Sequence, residues 1–415
     1  MACAAERRTA RRAAQHLRGQ RRGNRLLKDR PVPTRPQEMM TGYIDNCVEK
    51  LTKIPYPLVP HDPDSFLRTQ SRLKLVKKYL HRDLALRLGG QSKREIRRIE
   101  KGMRVLWLYT GKANFGDAIM EMSGRALLPG ADFSVDLLTL PKLHPLFCED
   151  DIFENVYSHV DALEDRRYDA VVLNEFNYPS IELKKRHFRK TPFACLFQYF
   201  HGPSRNQTLF SFAAVNDVFG IGLRDEALVQ IAKPYLQCND ATRRAVSGKR
   251  PERTAMALSV GGIDQNRSYL HWPSLLAMLD AMDDDRVPRQ VVLLGSDNGL
   301  QMADEIMRKT FRRLEVVSHV ARLSLLEARE IIAGCRLFVG CDGGLMHVAH
   351  STETPSVTIF SHREPMRFFL TRRCHSVGLQ SPGGASEVPP DAIADAVLRQ
   401  LGVTASLSAD AVQAR

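Results

Sequence analysis

The distribution of apolar and polar positions changes character at Met103. From there on, short apolar runs alternate with longer stretches of helical periodicity, and a glycine or a polar residue commonly marks the junction. This alternation predicts parallel sheets flanked by helices, because parallel strands are buried on both faces and are joined by crossover helices. The predicted strands are 104–109, 133–140, 170–173, 193–199 and 213–219, then 255–260, 291–294, 314–318, 337–339 and 355–360.

A polar segment near 237–253 interrupts the alternation and divides it into two halves. We therefore predict an α/β fold with two Rossmann-like domains, 103–240 and 252–402, whose parallel sheets face a central cleft. Ligands of such sheets settle at the carboxyl ends of the strands. A final helix is predicted over 390–401, followed by a flexible tail at 403–415.

The residues before Met103 form a different kind of segment. Residues 1–40 are rich in Arg, Ala and Gln and predict a disordered tail, with a transit peptide as the alternative interpretation. A start at Met39 or Met40 would remove most of this tail. Residues 41–102 predict a basic helical extension, because Leu and Val recur at helical spacing between Lys and Arg from about 65 to 101.

The positive charge of the chain is confined to this extension. The chain carries a formal net charge of +13. Residues 1–102 hold 25 Lys and Arg against 10 Asp and Glu, whereas the remainder holds 35 against 37. The extension could bind an anionic membrane surface. Nucleic acid is disfavoured, because no aromatic residues are interleaved with the basic ones and no nucleic-acid-binding module is recognisable.

The lengths of the apolar runs and the spacing of the cysteines indicate where the protein works in the cell. No apolar run approaches the roughly 20 residues of a membrane span, so any membrane contact of this predicted cytoplasmic protein is peripheral. The eight cysteines are scattered without metal-ligand spacing, and neither they nor the histidines predict a metal site. Cys341 is a conceivable nucleophile, but a buried structural role is favoured for it.

The most informative segment follows the predicted strand 337–339. Asp342, Gly343 and Gly344 open a helix that carries His347 one turn later. Free N–H groups and the positive end of the helix dipole attract phosphate, and glycine permits close approach of a ligand. This segment therefore predicts an anion site. Asp342 as a helix cap and His347 as a hydrogen-bonded core residue are the alternatives.

Two further strand-to-helix turns have related chemistry. Gly116-Asp117 follows the first strand of the first half, and Gly261-Gly262 follows the first strand of the second half. Asp117 could also serve only as a helix cap. Gly220-Ile221-Gly222 begins like a dinucleotide fingerprint, but it lacks the third glycine and is rejected.

These turns, taken in order over 103–400, resemble glycosyltransferase family 9, the ADP-heptose:lipopolysaccharide heptosyltransferases of Gram-negative bacteria. The resemblance rests on 106–111 with 115–119, on 259–262 leading to Arg267 and Trp272-Pro273, on 291–295, and on 340–347 continuing to Phe360. It implies a GT-B fold with the acceptor bound by the N-terminal half and a nucleotide-sugar bound by the C-terminal half.

The resemblance also implies roles for individual residues. Asp117 would be the catalytic base of an inverting transfer, with Gly116 beside it on the acceptor-side loop. The donor, ADP-heptose, would contact Gly261, Gly262, Arg267, Asp342, Gly343, Gly344 and His347. Backbone N–H groups would neutralise its diphosphate without a metal. The acceptor would be a lipopolysaccharide core or another cell-envelope glycan, and no cofactor is implied.

Three positions depart from the family pattern. Leu270 occupies the place of a donor-contacting lysine, Asp297 is the candidate for an acidic residue near Gly295, and 361–365 differ from the usual loop. The missing lysine supports an alternative function, a catalytically impaired glycan-binding or assembly protein.

Overall fold

The computed structural model describes residues 35–163, 166–202, 204–249, 251 and 254–413; the side chains of 35–38, Ser65 and 403–413 are not described. The chain forms two compact units, Met1–Glu49 and Lys50–Arg415. Most of the predicted tail, residues 1–34, lies outside the described residues. Residues 35–40, also assigned to that tail, are helical, because helix α1 spans Arg35–Thr52.

The extension within the second unit contains two of the predicted helices. They are α2 (Pro63–Thr69) and α3 (Arg72–Leu88), so the helical prediction for 65–101 is confirmed as far as Leu88. Helix α3 buries Leu75, Tyr79 and Leu86 on one face. This spacing is that of an amphipathic helix packed against a globular body.

The first sheet has five parallel strands in the order β3-β2-β1-β4-β5. Its strands are β1 (Arg104–Tyr109), β2 (Ser134–Thr139), β3 (Asn155–Tyr157), β4 (Ala170–Leu173) and β5 (Phe193–Cys195). The central strands are apolar and buried throughout most of their length, as expected for a sheet covered on both faces.

The second sheet has six parallel strands in the order β11-β10-β9-β6-β7-β8. Its strands are β6 (Met256–Ser259), β7 (Gln290–Leu294), β8 (Glu315–Ser318), β9 (Leu337–Cys341), β10 (Ser356–Phe360) and β11 (Ser376–Gln380). Two parallel α/β sheets confirm the predicted fold class.

Helices alternate with these strands. They are α4 (Phe115–Glu121), α5 (His144–Phe147), α6 (Tyr178–His187), α7 (Gln207–Val218), α8 (Asp225–Ile231), α9 (Asp240–Ala245), α10 (Trp272–Ala281), α11 (Leu300–Met307), α12 (Leu325–Gly334), α13 (Gly344–Ser351) and α14 (Pro390–Gln413). Helix α14 continues past its predicted end at Leu401, and the predicted flexible tail is helical as far as Gln413.

The predicted strand 213–219 is wrong, because these residues belong to helix α7. The Asn206 side chain accepts a hydrogen bond from the Leu209 N–H and caps this helix. Almost every residue of α7 is buried, including Phe210, Phe212 and Ala213. A helix that is apolar on all sides has no helical periodicity in its sequence, and a short apolar run then resembles a buried strand.

Other differences lie at the sheet edges. Strands β3 and β11 were not predicted, and β5 ends at Cys195 rather than Tyr199. Strands β3 and β11 are only partly buried, so they lack the continuous apolar run of the central strands. The central strands that carry the candidate site are those whose pattern was clearest.

Candidate functional site

Two of the three glycine turns lie side by side in the second sheet. Strands β6 and β9 are parallel neighbours, and Leu258 is paired with Val339. Sequential order reverses between these two strands, which makes their carboxyl ends the topological switch point of the sheet. Gly261-Gly262 follows β6 and Asp342-Gly343-Gly344 follows β9, so both turns reach the place where such sheets bind ligands.

An ion pair joins the two turns. Arg267 Nη2 lies 2.6 Å from Asp342 Oδ2, and the Asp342 side chain is almost completely buried. Burial raises the pKa of Asp342 to about 6, and the Arg267 guanidinium opposes this rise. Asp342 therefore does not cap helix α13; it holds Arg267 across the switch point.

Arg267 is placed by a short capped turn. The Asp264 side chain accepts hydrogen bonds from the Asn266 N–H at 2.9 Å and the Arg267 N–H at 3.2 Å. The Ser268 hydroxyl donates to the Asp264 carbonyl at 2.8 Å. These bonds fix the backbone of Arg267, while about a quarter of its side chain stays exposed.

Gly261 and Gly262 are required by the fold itself. Gly261 has a φ of +89°, and a Cβ there would lie 2.9 Å from the Gly299 backbone. A Cβ at Gly262 would lie 2.6 Å from the Arg267 carbonyl oxygen. Their side-chain positions are filled by neighbouring loops, so only their backbone groups remain available to a ligand.

Gly343 and Gly344, unlike Gly261 and Gly262, have free space where a side chain would lie. A Cβ at Gly344 would meet nothing within 4 Å, and one at Gly343 would meet only the Cys341 carbonyl oxygen, at 4.0 Å. Gly343 has an extended φ of 165°, which any residue adopts. Neither packing nor backbone conformation requires glycine here, and the N-terminus of α13 is open in front of both residues.

Asp117 lies at the matching edge of the first sheet. It sits in the first turn of α4, which follows the central strand β1. The N-cap of this helix is Asn114, so Asp117 is not a simple cap. Asn114 Nδ2 donates to Asp117 Oδ2 at 3.2 Å, and Lys112 Nζ lies 3.6 Å from the same oxygen.

The two domains touch next to Asp117. A Cβ at Gly116 would lie 3.0 Å from His347 Cδ2 and 3.8 Å from Gly344 Cα. A Cβ at this distance from the His347 ring would be tighter than ordinary van der Waals contact, so glycine favours the close approach of α4 and α13. Asp117 also contributes to raising the pKa of Asp342. The predicted base and the predicted donor turn are thus brought together across the domain junction.

His347 is buried, only 2% exposed, and its Nδ1 atom has no hydrogen-bond partner. Burial lowers the pKa of His347 to about 3, with a further contribution from Arg267. The imidazole is therefore neutral at physiological pH. It packs between Gly116 and Phe369, and the alternative of a fully hydrogen-bonded core histidine does not describe it.

Of the remaining positions singled out in the sequence, Leu270 and Asp297 are exposed, whereas Cys341 is buried. Leu270 is 61% exposed, and Asp297 is exposed at the start of the turn Asp297–Gly299. Cys341 is buried, and burial raises its pKa, which confirms the structural role favoured for it.

Sequence reasoning missed two acidic residues of the site. Asp264 caps the Arg267 turn, and the spacing of an Asp three residues before Arg267 is a recognisable capping signal. Glu364 is half-buried in the 361–365 loop, and burial raises its pKa while Arg267 lowers it. No sequence signal identifies Glu364, since its proximity to Arg267 arises from the fold.

The described residues contain neither a membrane-spanning helix nor a group of metal-ligating side chains. None of the helices described combines the length and apolar character needed to cross a membrane. In the same part of the chain, no three His, Cys, Asp or Glu side chains are grouped as ligands of a metal ion would be.

Two α/β domains with glycine turns at the carboxyl ends of their strands have the GT-B fold, and solved structures with this fold are similar to the chain. A glycosyl transferase of family 9 from Veillonella parvula DSM 2008 is 13% identical, with a TM-score of 0.58, over 72% of this chain and 97% of that one. The ADP-heptose lipopolysaccharide heptosyltransferase II of E. coli is 20% identical, with a TM-score of 0.55, over 72% and 98%. The E. coli heptosyltransferase WaaC, solved with ADP, is 16% identical, with a TM-score of 0.53, over 72% and 100%.

Part of the chain also matches a protein family in sequence. Residues 234–380 match the model of glycosyltransferase family 9 (heptosyltransferase). No curated protein sequence matches the chain. The predicted resemblance to family 9 is confirmed over these residues, and the similar solved structures agree with the predicted GT-B fold.

Proposed function

We propose that this protein transfers heptose from ADP-heptose to a lipopolysaccharide core or another cell-envelope glycan, with inversion at the anomeric carbon and without a metal. The observation that carries the proposal is the position of Asp117 beside the open N-terminus of α13, across the domain junction. Support for the donor comes from WaaC, which has been solved with ADP and with ADP-2-deoxy-2-fluoro heptose.

The donor diphosphate would lie over Gly343 and Gly344. The open space in front of both glycines lets phosphate oxygens approach the free N–H groups at the start of α13. Arg267 would add a guanidinium donor from the neighbouring turn, oriented by Asp264 and Asp342. These groups would stabilise the negative charge that develops on the leaving nucleotide.

Asp117 would accept the proton of the attacking acceptor hydroxyl. A general base must lie within hydrogen-bond reach of that proton, and Asp117 is partly exposed at the edge of the first sheet. Lys112 and Asn114 hold its Oδ2 atom, so the carboxylate has a fixed direction. The acceptor oxygen would attack the anomeric carbon on the face opposite the nucleotide, and the bond to the leaving diphosphate would break as the new glycosidic bond forms. This single displacement would invert the anomeric centre.

The second candidate function is a glycan-binding or assembly protein with impaired catalysis. It is motivated by Leu270, which stands where the family places a donor-contacting lysine and is exposed. Such a protein would bind nucleotide weakly or bind glycan without releasing nucleotide from the donor. The assay described below separates the two candidates.

We also propose that the protein works at the cytoplasmic face of the inner membrane. Leu73, Leu84 and Leu88 are 71%, 50% and 84% exposed on helix α3. Their spacing places them on one face of the helix, opposite its buried residues. Exposed leucines on a basic helix are typical of peripheral attachment to anionic lipid.

The experiment is a panel of ADP-, UDP- and GDP-sugars incubated with the full chain, with and without lipopolysaccharide core acceptors. We expect acceptor-dependent release of ADP from ADP-heptose. Nucleotide binding without acceptor-dependent release from any donor would favour the glycan-binding alternative. Release of UDP or GDP alone would show that the donor is wrong.

A further inference from the structure

The loop that follows β5, residues 196–206, is held by the extension that precedes the first domain. The backbone N–H of His201 donates to the Leu51 carbonyl at 2.7 Å, and the backbone N–H of Asn206 donates to the Pro60 carbonyl at 3.0 Å. His61 and Arg205 form an antiparallel bridge. The extension therefore shapes a loop at the carboxyl edge of the first sheet, which is the acceptor half of the proposed cleft.

Helix α3 brings two cations to this loop. Lys78 Nζ contacts His201 Nε2, and Arg82 Nη1 donates to the Tyr199 carbonyl at 3.2 Å. Burial lowers the pKa of His201 to about 3, so the imidazole is neutral and can accept a hydrogen bond from the Lys78 ammonium group. Arg82 is only 7% exposed, although it belongs to a helix whose opposite face is in solvent.

Arg205 adds a third cation from the loop itself. Its guanidinium lies 5.0 Å from the ring centroids of Phe197 and Phe200 and 4.4 Å from that of Phe210. Its Nε atom is buried without a hydrogen-bond partner. An aromatic cage of this kind withdraws the cation from water without supplying an opposite charge.

These three cations lack a counter-ion at short range. Within the part of the chain that the structure describes, no carboxylate lies within 4.0 Å of Lys78, Arg82 or Arg205. Burial lowers the pKa of all three, and Glu175 raises it from farther away. Lys78 is exposed, whereas Arg82 and the Nε atom of Arg205 are buried. Buried cations are normally compensated by an anion.

The cations are also connected to the proposed base. Lys112, which lies 3.6 Å from Asp117 Oδ2, acts with Lys78, Arg82 and Arg205 in lowering the pKa of His201. The carboxylates of Asp117, Glu121 and Glu175 in turn influence Arg205. Asp117 follows β1 and the loop follows β5, two parallel strands of one sheet, so the cations and the proposed base lie at the same edge of that sheet.

We infer that helix α3 completes the acceptor side of the cleft with a cationic site, formed by Lys78, Arg82 and Arg205, that binds a phosphate or carboxylate group of the acceptor sugar. The inference rests on the proposed glycosyl transfer. It assigns a specificity role to the extension, which lies outside the residues matched by the family model, 234–380.

The test measures binding of small anionic sugars to the full chain saturated with ADP, so that phosphate cannot bind at the donor turn. The probes are glucose 6-phosphate, glucuronate, uncharged glucose and inorganic phosphate. We expect at least one of the two anionic sugars to bind more tightly than both glucose and inorganic phosphate. Inorganic phosphate binding as tightly as both anionic sugars would overturn the assignment to a sugar acceptor.

The variant is Lys78→Ala, and the matched control is Lys77→Ala, which removes the same charge from an exposed neighbour on the same helix. We expect Lys78→Ala to weaken binding of the anionic sugar roughly tenfold, the loss typical of a charge-assisted hydrogen bond. Lys78→Arg should restore most of it, and Lys77→Ala should change nothing. Equal effects of the two alanine variants, or equal binding of glucose, would overturn the inference.

Failure of the cationic site and failure of the proposed glycosyl transfer would give different experimental results. Affinity for ADP depends on Gly344 and Arg267 and should be unchanged in Lys78→Ala. Normal transfer with no dependence on Lys78 would refute only the cationic site. Lys78-dependent binding of an anionic sugar without transfer from any donor would refute only the glycosyl transfer.

Discussion

At the scale of single residues, the position of Arg267 is set by two aspartates. It is fixed by the Asp264 cap and paired with Asp342 at 2.6 Å. The sequence predicted Arg267 as a donor contact through a family resemblance, but it could not predict the pair. Asp342 lies far from Arg267 along the chain, and only the adjacency of β6 and β9 brings the two together.

Replacing Arg267 by alanine should weaken ADP binding by roughly 10- to 100-fold, because a charge-assisted hydrogen bond to phosphate contributes about 1.5–3 kcal/mol. Calorimetric titration of ADP measures this directly. The control is Arg286→Ala, since Arg286 Nη2 also lies 2.6 Å from an aspartate, Asp284, but outside the site. Equal losses in the two variants would show that Arg267 has no specific role in donor binding.

Glu121 should make stability depend on pH. It is buried, accepts a hydrogen bond from the Tyr109 hydroxyl at 2.9 Å, and burial raises its pKa from 4.5 to about 7. A raised carboxyl pKa means that the folded state binds the proton more tightly. Its stabilising effect is therefore full below about pH 4.5 and is lost as the pH rises to about 7.

The variant Glu121→Gln keeps an acceptor for Tyr109 without the titration. Relative to this variant, the wild-type free energy of unfolding should fall by roughly 3 kcal/mol between pH 4.5 and pH 7. Urea unfolding across that range measures the difference, and the exposed Glu226→Gln variant is the control. A constant difference between Glu121→Gln and wild type would contradict the assignment.

At the scale of elements, the strand-to-helix turns carried most of the predictive information. Central parallel strands are continuous apolar runs, so β1, β6, β7 and β9 were found in the sequence together with the turns that follow them. Helix α7 was mistaken for a strand at 213–219, because uniform burial removes periodicity from its sequence. The contact between α4 and α13 could not be predicted at all, since it depends on how the domains pack.

Gly344→Val should weaken ADP binding at least roughly tenfold, equivalent to losing about one charge-assisted hydrogen bond. A Cβ at Gly344 meets no protein atom within 4 Å, so the substitution should leave the fold intact and fill only the space proposed for phosphate. Gly248→Val is the matched control, because that position is equally open and lies outside the site. Thermal unfolding verifies folding, and unchanged ADP affinity in Gly344→Val would remove the diphosphate from this turn.

At the scale of the whole molecule, the excess positive charge and the two sheets lie in different parts of the chain. The body is nearly neutral and contains both sheets, whereas the excess of Lys and Arg lies in residues 1–102. Composition alone suggested a surface-binding appendage. The structure adds that α3 of this appendage also contacts the loop beside the acceptor half of the cleft, through Lys78 and Arg82.

Binding to anionic vesicles should be sensitive to salt. Each Lys or Arg near an anionic surface contributes about 1 kcal/mol, and the Debye length falls to about 3 Å at 1 M salt. In a sedimentation assay, the full chain should pellet with phosphatidylserine vesicles at low salt and be released at roughly 1 M salt. Neutral vesicles are the control. Retention on anionic vesicles at high salt would show that charge does not drive attachment.

The most direct test of the account compares wild type with Asp117→Asn in acceptor-dependent release of ADP from ADP-heptose. The substitution preserves side-chain size and removes the base, so transfer should fall by roughly 10²- to 10⁴-fold. Affinity for ADP should stay near the wild-type value, because the proposed donor site lies on the other domain. Wild-type turnover in Asp117→Asn would contradict the proposed role of Asp117 and the mechanism built on it.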